Sequence, residues 1–297
     1  MKILIRISCM LIMTMTINAQ QIEFPILTGS YLGQKPPGTT PEIFAPGIVS
    51  TEMYNHCSVS ISPDGAEIYW AMSPLDAARQ IYYSKIINGV WIQPEIISFT
   101  RLEDGDCPVL SPDGGKMYFN SNRTISQGGK RRERIWCVER NSKGWGEPHC
   151  LSAELNNEHL HWQVSVDSKA NLYFGSERDG TNGKDDVFIS EFINGKYSKA
   201  YSLGTEINSE AHESTPYIAP DGSYLIFRRG GLHISYKQKD KYWTKSKSLG
   251  ANFEKAICPY VSPDGKYIFF LKMGKGYNDI YWVSAKIIEE LKPKELK

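Results

Sequence analysis

Ser262-Pro263-Asp264-Gly265-Lys266-Tyr267-Ile268-Phe269-Phe270 is a turn followed at once by an apolar strand, and it is one of five such phrases in the chain. Ser62-Pro63-Asp64-Gly65 precedes Ile68-Tyr69-Trp70, and Ser111-Pro112-Asp113-Gly114 precedes Met117-Tyr118-Phe119. Ser165-Val166-Asp167 precedes Leu172-Tyr173-Phe174, and Ala219-Pro220-Asp221-Gly222 precedes Leu225-Ile226-Phe227. In the four full copies proline fixes φ, the aspartate caps its own backbone and glycine takes positive φ at little cost. The aspartates lie 49, 54, 54 and 43 residues apart. A period of about 50 with several strand signals per unit is the signature of a β-propeller, one blade per repeat.

Working outward from the turn, each repeat reads as four strands. The inner strand comes first, as in Cys107-Pro108-Val109-Leu110. The second strand is apolar at consecutive positions, which fits a sheet buried on both faces. The third carries Ile81-Tyr82-Tyr83, Ile135-Trp136, Val187-Phe188-Ile189, Leu232-His233-Ile234 or Ile280-Tyr281-Trp282, and the fourth opens at Trp91, Trp145, Tyr197 or Trp243. The fifth repeat stops after its third strand. Pro41-Glu42-Ile43-Phe44 resembles Pro94-Glu95-Ile96-Ile97, so the N-terminal segment is expected to supply the missing outer strand and close the ring. The fold class is therefore all-β, a single five-bladed propeller over residues 41–284. A sixth blade would have to lie in residues 22–40 or in the charged tail 285–297, and neither carries the pattern.

Residues 1–19 read as a secretory signal. Lys2 and Arg6 are followed by an apolar run from Ile7 to Ile17, too short for the ~20 residues of a membrane span, and Asn18-Ala19-Gln20 offers a cleavage site. Residues 20–40 form an N-terminal extension. The mature chain is expected to be exported, periplasmic or secreted, with no transmembrane anchor. A formal net charge of +1 with interspersed signs argues against nucleic acid as a partner. Five cysteines survive cleavage, an odd number. Cys137 and Cys150 flank a hairpin turn, an arrangement that allows a cross-strand disulfide. Cys57, Cys107 and Cys258 fall at nearly the same place in three repeats and read as small apolar residues near the propeller axis.

The phrase Ser-Pro-Asp-Gly-Lys-x-Ile-x-Phe, with Asp279-Ile280-Tyr281 downstream, resembles the Pro-Asp repeats of TolB-like, WD-like bacterial β-propellers. The resemblance implies a binding propeller of the cell envelope with a protein partner. The chain departs from that family in its third repeat, which reads Val-Asp-Ser-Lys-Ala-Asn, and in having five blades where six or more are usual. Residues 22–40 are also too few to form the separate N-terminal domain of TolB.

Chemistry in a propeller gathers at the channel mouth, on the face shared by the loops entering the inner strands and the loops between second and third strands. The entering loops carry His56, Asp106, His159, His161, His212 and Glu213, with Trp162 beside them, while blade five offers only Ala256 and Ile257. Arg123, Arg178 and Arg228 follow the second strands. Three readings stand side by side: a polar rim with no special role, a pocket for a sugar or peptide with Trp162 as stacking platform, and a metal or acid–base site. No cofactor is expected, and a metal ion at the mouth belongs to the third reading. No nucleophile elbow, phosphate loop or EF-hand loop is present in the sequence. The expected function is recognition of an envelope protein or a glycan at this face. The alternative is a lyase or hydrolase acting on acidic saccharides, with a histidine as base and Arg123 or Arg178 as carboxylate clamp.

Overall fold

The computed structural model describes residues 24–297 except 75–76, 127–128, 130, 157–159, 241 and 274–276, so the segment expected to be a secretory signal lies outside the described residues. The Ser-Pro-Asp-Gly phrase folds for a local reason. Ser62 Oγ donates to Asp64 Oδ1 at 2.5 Å, the same oxygen accepts the Ala66 amide at 3.0 Å, and the Glu67 amide returns to Ser62 Oγ at 2.9 Å. Gly65 completes the turn at φ 72°. The bonds recur at Ser111/Asp113 and Ser262/Asp264. The serine hydroxyl and the backbone amide hold the carboxyls of Asp64 and Asp113 below their ordinary range. The third repeat solves the same problem with one residue. Asp167 accepts the amides of Lys169 and Asn171 at 2.9 Å each, and Ala170 takes the positive φ.

Five antiparallel blade sheets result, and Phe192–Ile193 pairs with Lys196–Tyr197 in a separate two-stranded sheet. The second strands of the blades are Glu67–Ser73, Lys116–Ser121, Leu172–Ser176, Tyr224–Arg229 and Tyr267–Met273. Consecutive apolar residues on these strands serve two neighbours at once. Met117 and Phe119 pack into the seam with blade one, whereas Tyr118 between them packs into the seam with blade three. Ile268 and Phe270 face blade four, and Phe269 and Leu271 face blade one. Five apolar clusters fill five seams, which is why the ring closes at five blades.

The N-terminal segment closes it. Glu42 and Ile43 pair antiparallel with Trp282 and Tyr281 of the third strand of blade five, and the Phe44 amide donates to Ile280 O at 2.7 Å. The blade-five edge is thereby covered. A second device recurs in four of the five blades: a short polar side chain clasps the start of the third strand. The amide of Ile81 donates to Thr100 Oγ1, that of Ile135 to Asn156 Oδ1 and that of Val187 to Asn208 Oδ1. In the closing blade the clasp is Ser50, whose Oγ accepts the Ile280 amide at 3.1 Å from the other end of the chain. Ahead of the closing strand, Leu32 is buried and the Tyr31 ring packs on Tyr267 and Trp282. Trp91 donates its backbone amide to Leu27 O and its indole N–H to Gly29 O. At the other terminus, Lys286–Leu291 forms a short helix with Ile288 buried.

The cysteine expectations are corrected. Cys150 pairs with Trp136 in the outer-strand register and Cys137 pairs with His149, so the two thiols stand on opposite faces of the sheet and both are free. The disulfide is Cys57–Cys107, joining the inner strands of blades one and two beside the axis, with Cα atoms 5.2 Å apart. Cys258 of blade five remains a thiol, its Sγ 3.5 Å from Cys57 Sγ, and burial raises its pKa.

Candidate functional site

The inner strands bring the entering loops together around the axis, and each strand whose pairing is followed through bulges near its start. Register shifts fall between Asp106 and Val109, His161 and Val164, Ser214 and Tyr217, and Ile257 and Tyr260. Cys107, Thr215 and Cys258 take positive φ at these bulges. Such bulges re-aim side chains, and here they also plug the axis. Next to the disulfide, the Gln163 side-chain amide donates to Pro259 O at 2.9 Å and Pro216 O at 3.4 Å, and the Cys258 amide donates to Thr215 Oγ1. The two mouths of the ring are therefore separate surfaces.

On the entering-loop face the predicted residues sort into two networks. The first lies between blades one and two. Arg79, just ahead of the third strand of blade one, donates twice to Asp104 at 2.7 and 2.9 Å, and to Asp106 and Glu133 at 2.9 Å each. Burial works against this guanidinium, but the three carboxylates prevail and hold its pKa above the ordinary value. Beside it opens a cavity of about 550 Å³ lined by Tyr54, His56, Arg79, Glu103, Asn122 and Arg131. His56 Nε2 lies 2.8 Å from Ser73 Oγ, and Arg131 is paired with Glu103 at 3.8 Å.

The second network lies between blades three and four. His212, 38 % exposed, sets its Nδ1 against the fully buried carboxylate of Asp185. Glu213 is also fully buried and takes Arg229 Nε at 2.5 Å and Ser209 Oγ at 2.7 Å. Asp186 accepts the Asn182 amide at 3.0 Å through Oδ2, while its buried Oδ1 has no hydrogen-bond partner among the described residues. Burial, aided by the charge of Glu213, pushes the Asp186 pKa up. Ionising this carboxyl therefore costs the folded state. The cost is absent below the unfolded value near 4, builds up as pH rises from there to the folded value, and is constant above it. Asp186→Asn is expected to raise the melting temperature at pH 7 and to leave it unchanged at pH 3. An equal rise at both pH values would contradict this account.

His159 lies outside the described residues. His161 and Trp162 belong to the inner strand Leu160–Val166, where His161 pairs with Gly175. Arg123 and Arg178 are buried with their guanidinium groups engaged. Arg123 donates to Phe99 O and Asp104 O and lies over Phe119 and Trp136, and Arg178 donates to Leu155 O and lies over Phe174 and Phe188. Each anchors the connector that follows an outer strand. The equivalent residue in blade four is Arg229, which donates to Ile207 O, and not Arg228, which stands opposite Ser214 and Leu232. Ala256 and Ile257 of blade five are buried and apolar.

Sequence reasoning missed Arg79, Asp104, Asp185 and Asp186. The available signal was charge just ahead of a third strand: Arg79, Glu133, Asp185-Asp186 and Asp279 all stand there. The one grouping of metal-ligating atoms among the described residues is Cys57, Asp106 and Cys107, and its two sulfurs are joined in the disulfide. Zinc sites are built from thiolate, imidazole and carboxylate ligands, and His56 and His212 belong to separate networks.

No family model matches the chain, and no curated protein does. Solved structures do. A protein of unknown function from Dyadobacter fermentans aligns with a TM-score of 0.53 at 11% identity, over 84% of this chain and 83% of that one. An Agrobacterium tumefaciens protein named as a TolB aligns with a TM-score of 0.50 at 16% identity, over 79% and 78%. TolB from Acinetobacter baumannii aligns with a TM-score of 0.49 at 15% identity over 76% of this chain, which spans about half (53%) of that protein's length. At these identities the likeness is one of fold, and the fold is the β-propeller found in TolB proteins.

Proposed function

We propose that this chain is an exported, non-enzymatic binding propeller that recognises an envelope protein or a glycan at its entering-loop face, centred on the cavity between blades one and two. The observation that carries this reading is the chemistry of that cavity. Beside the apolar Pro74, Ala77, Ala78 and Leu102, its lining combines an imidazole, a phenol, an amide and two guanidinium groups, and both guanidiniums are already matched by carboxylates. Such a wall offers directed hydrogen bonds without a net cation, which suits hydroxyls or peptide amides better than a carboxylate ligand. The fold likeness to TolB propellers and the leader-like N-terminus agree with an envelope role, and no helix among the described residues is long and apolar enough to cross a membrane.

A second reading rests on one observation. His212 is oriented by a buried carboxylate and exposed to the same face, the arrangement of a general base. The two readings separate in one set of assays on the mature chain. It is presented to an envelope extract and a glycan array, and incubated with acidic polysaccharides while new reducing ends and double bonds are followed. Retention of a saturable ligand, abolished by a His56→Ala, Asn122→Ala double variant of unchanged melting temperature, is the expected result. Turnover abolished by His212→Ala, with no ligand retained, would replace the binding reading with the enzymatic one.

A further inference from the structure

The opposite mouth of the ring, at the Pro-Asp turns, holds a second cavity of about 380 Å³. It is blind, because Gln163 and the cysteines close the axis above it. Among the described residues its wall contains no Asp, Glu, Lys, Arg or His, although charged residues make up 23% of the chain. The prolines of four Pro-Asp turns ring the opening, and Tyr217, Tyr224 and Tyr260 form one side. These rings sit in a fixed array. Tyr217 and Tyr260 meet edge to face with centroids 5.8 Å apart, and Tyr224 lies 6.3 Å from Tyr217.

The polar ends of two tyrosines are satisfied elsewhere. Tyr260 Oη bridges the amide and carbonyl of Ile61 in blade one at 3.0 Å each, and Tyr217 Oη reaches Val261 O at 3.4 Å. Tyr217 and Tyr260 therefore present ring surface, not hydroxyl, to a ligand. Burial raises the pKa of all three phenols, so they stay neutral. Gln163 commits its N–H groups to Pro216 and Pro259, and the remaining polar side chains of the wall are the uncharged serines Ser111, Ser165, Ser168 and Ser262. A pocket of 300–1,000 Å³ with apolar and aromatic walls and few polar groups is the usual form of a small-molecule site.

We propose that this cavity binds an uncharged aromatic small molecule of one or two rings, seated against the tyrosine side and independent of the entering-loop face. An anion or cation would surrender its hydration with no opposite charge in the wall to replace it, whereas a flat ring gains edge and face contacts with the tyrosines.

The test uses two probes that share a fluorophore and differ in charge. N-phenyl-1-naphthylamine is neutral, and 8-anilinonaphthalene-1-sulfonate carries a sulfonate. The mature chain is expected to give saturable, blue-shifted emission with the neutral probe and to bind the sulfonate at least about tenfold more weakly, because the sulfonate would be buried without a partner. Ser168→Trp and Val109→Trp, which fill the cavity from blades three and two, should each abolish the signal. Ser168 is exposed, so the first of these tests occupancy without disturbing the core. His56→Ala should bind the probe like the parent, which separates this site from the opposite face. Absence of saturable binding, equal binding of the two probes, or binding that survives Ser168→Trp would overturn the proposal.

Discussion

A chain that lacks residues 24–50 is expected to lose cooperative unfolding altogether, not to behave as a trimmed version of the parent. This stretch supplies the outer strand of blade five, and it buries Leu32, Phe44 and Val49 in the seam with blade one. Full burial of such side chains contributes about 1.5–3 kcal/mol each, so the three together amount to roughly 5–9 kcal/mol. Domain stabilities are typically about 5–15 kcal/mol. The deletion also removes the Ser50 clasp and uncovers the edge of the strand Asn278–Ser284, which becomes a template for association between chains. Thermal unfolding followed by circular dichroism, with size-exclusion chromatography alongside, reads both effects. A truncated chain that is monomeric and melts like the parent would remove the closure from the account.

The second large effect is expected from Cys57→Ala. The Cys57–Cys107 bond spans a sequence separation of 50 and links neighbouring inner strands at the axis. The chain-entropy relation for a loop of that size puts its contribution at about 4 kcal/mol. With an unfolding entropy of about 2.1 cal/mol/K per residue, that corresponds to a fall in melting temperature of roughly 7 °C for a chain of this length. Replacing Cys57 rather than Cys107 matters, because Cys258 lies beside Cys57 and could take over as its partner. Peptide mapping of the unreduced parent should recover the Cys57–Cys107 pair with Cys137 and Cys150 unlinked. An unchanged melting temperature in the variant, or recovery of a Cys137–Cys150 pair, would contradict the assignment.

Much of this fold was legible because its signals are local. The Ser-Pro-Asp-Gly turn carries its own hydrogen bonds, and Met117-Tyr118-Phe119 shows by lack of alternation that its strand faces two neighbours. The similarity of Glu42-Ile43 to Glu95-Ile96 gave away the closing strand. What failed depended on register. Cys137 and Cys150 looked opposite one another, but the outer strand His149–Cys150 pairs one residue out of step, and in a sheet one residue exchanges the faces. In the third repeat Asp167 takes the place of the turn's serine rather than its aspartate, which is the source of the extra residue.

The site was legible in position and not in partnership. The entering loops do carry polar side chains, but sequence spacing cannot tell that Asp106 is committed to Arg79 or Glu213 to Arg229. The anchoring arginine of blade four was misread by one position because Arg228 and Arg229 are adjacent and the Ser-x-Arg cue of Arg123 and Arg178 is missing there. The uncharged cavity at the other mouth was invisible for a different reason. It is built from residues of several blades, and no single repeat carries a signal for it.

The central claim is that the two ends of the chain meet in one blade, and a cross-link tests it most directly. Ile43 and Tyr281 are directly opposed in the closing pair, and both sit at least partly exposed on its outer side. In an Ile43→Cys, Tyr281→Cys variant, mild oxidation of the folded monomer should join the two introduced thiols in a single intramolecular disulfide. Peptide mapping identifies the link, which should be absent from an Ile43→Cys, Tyr201→Cys control. A folded monomer in which both introduced thiols stay reduced, or in which the one replacing Ile43 links to any other blade, would contradict the five-bladed ring closed by its N-terminal strand.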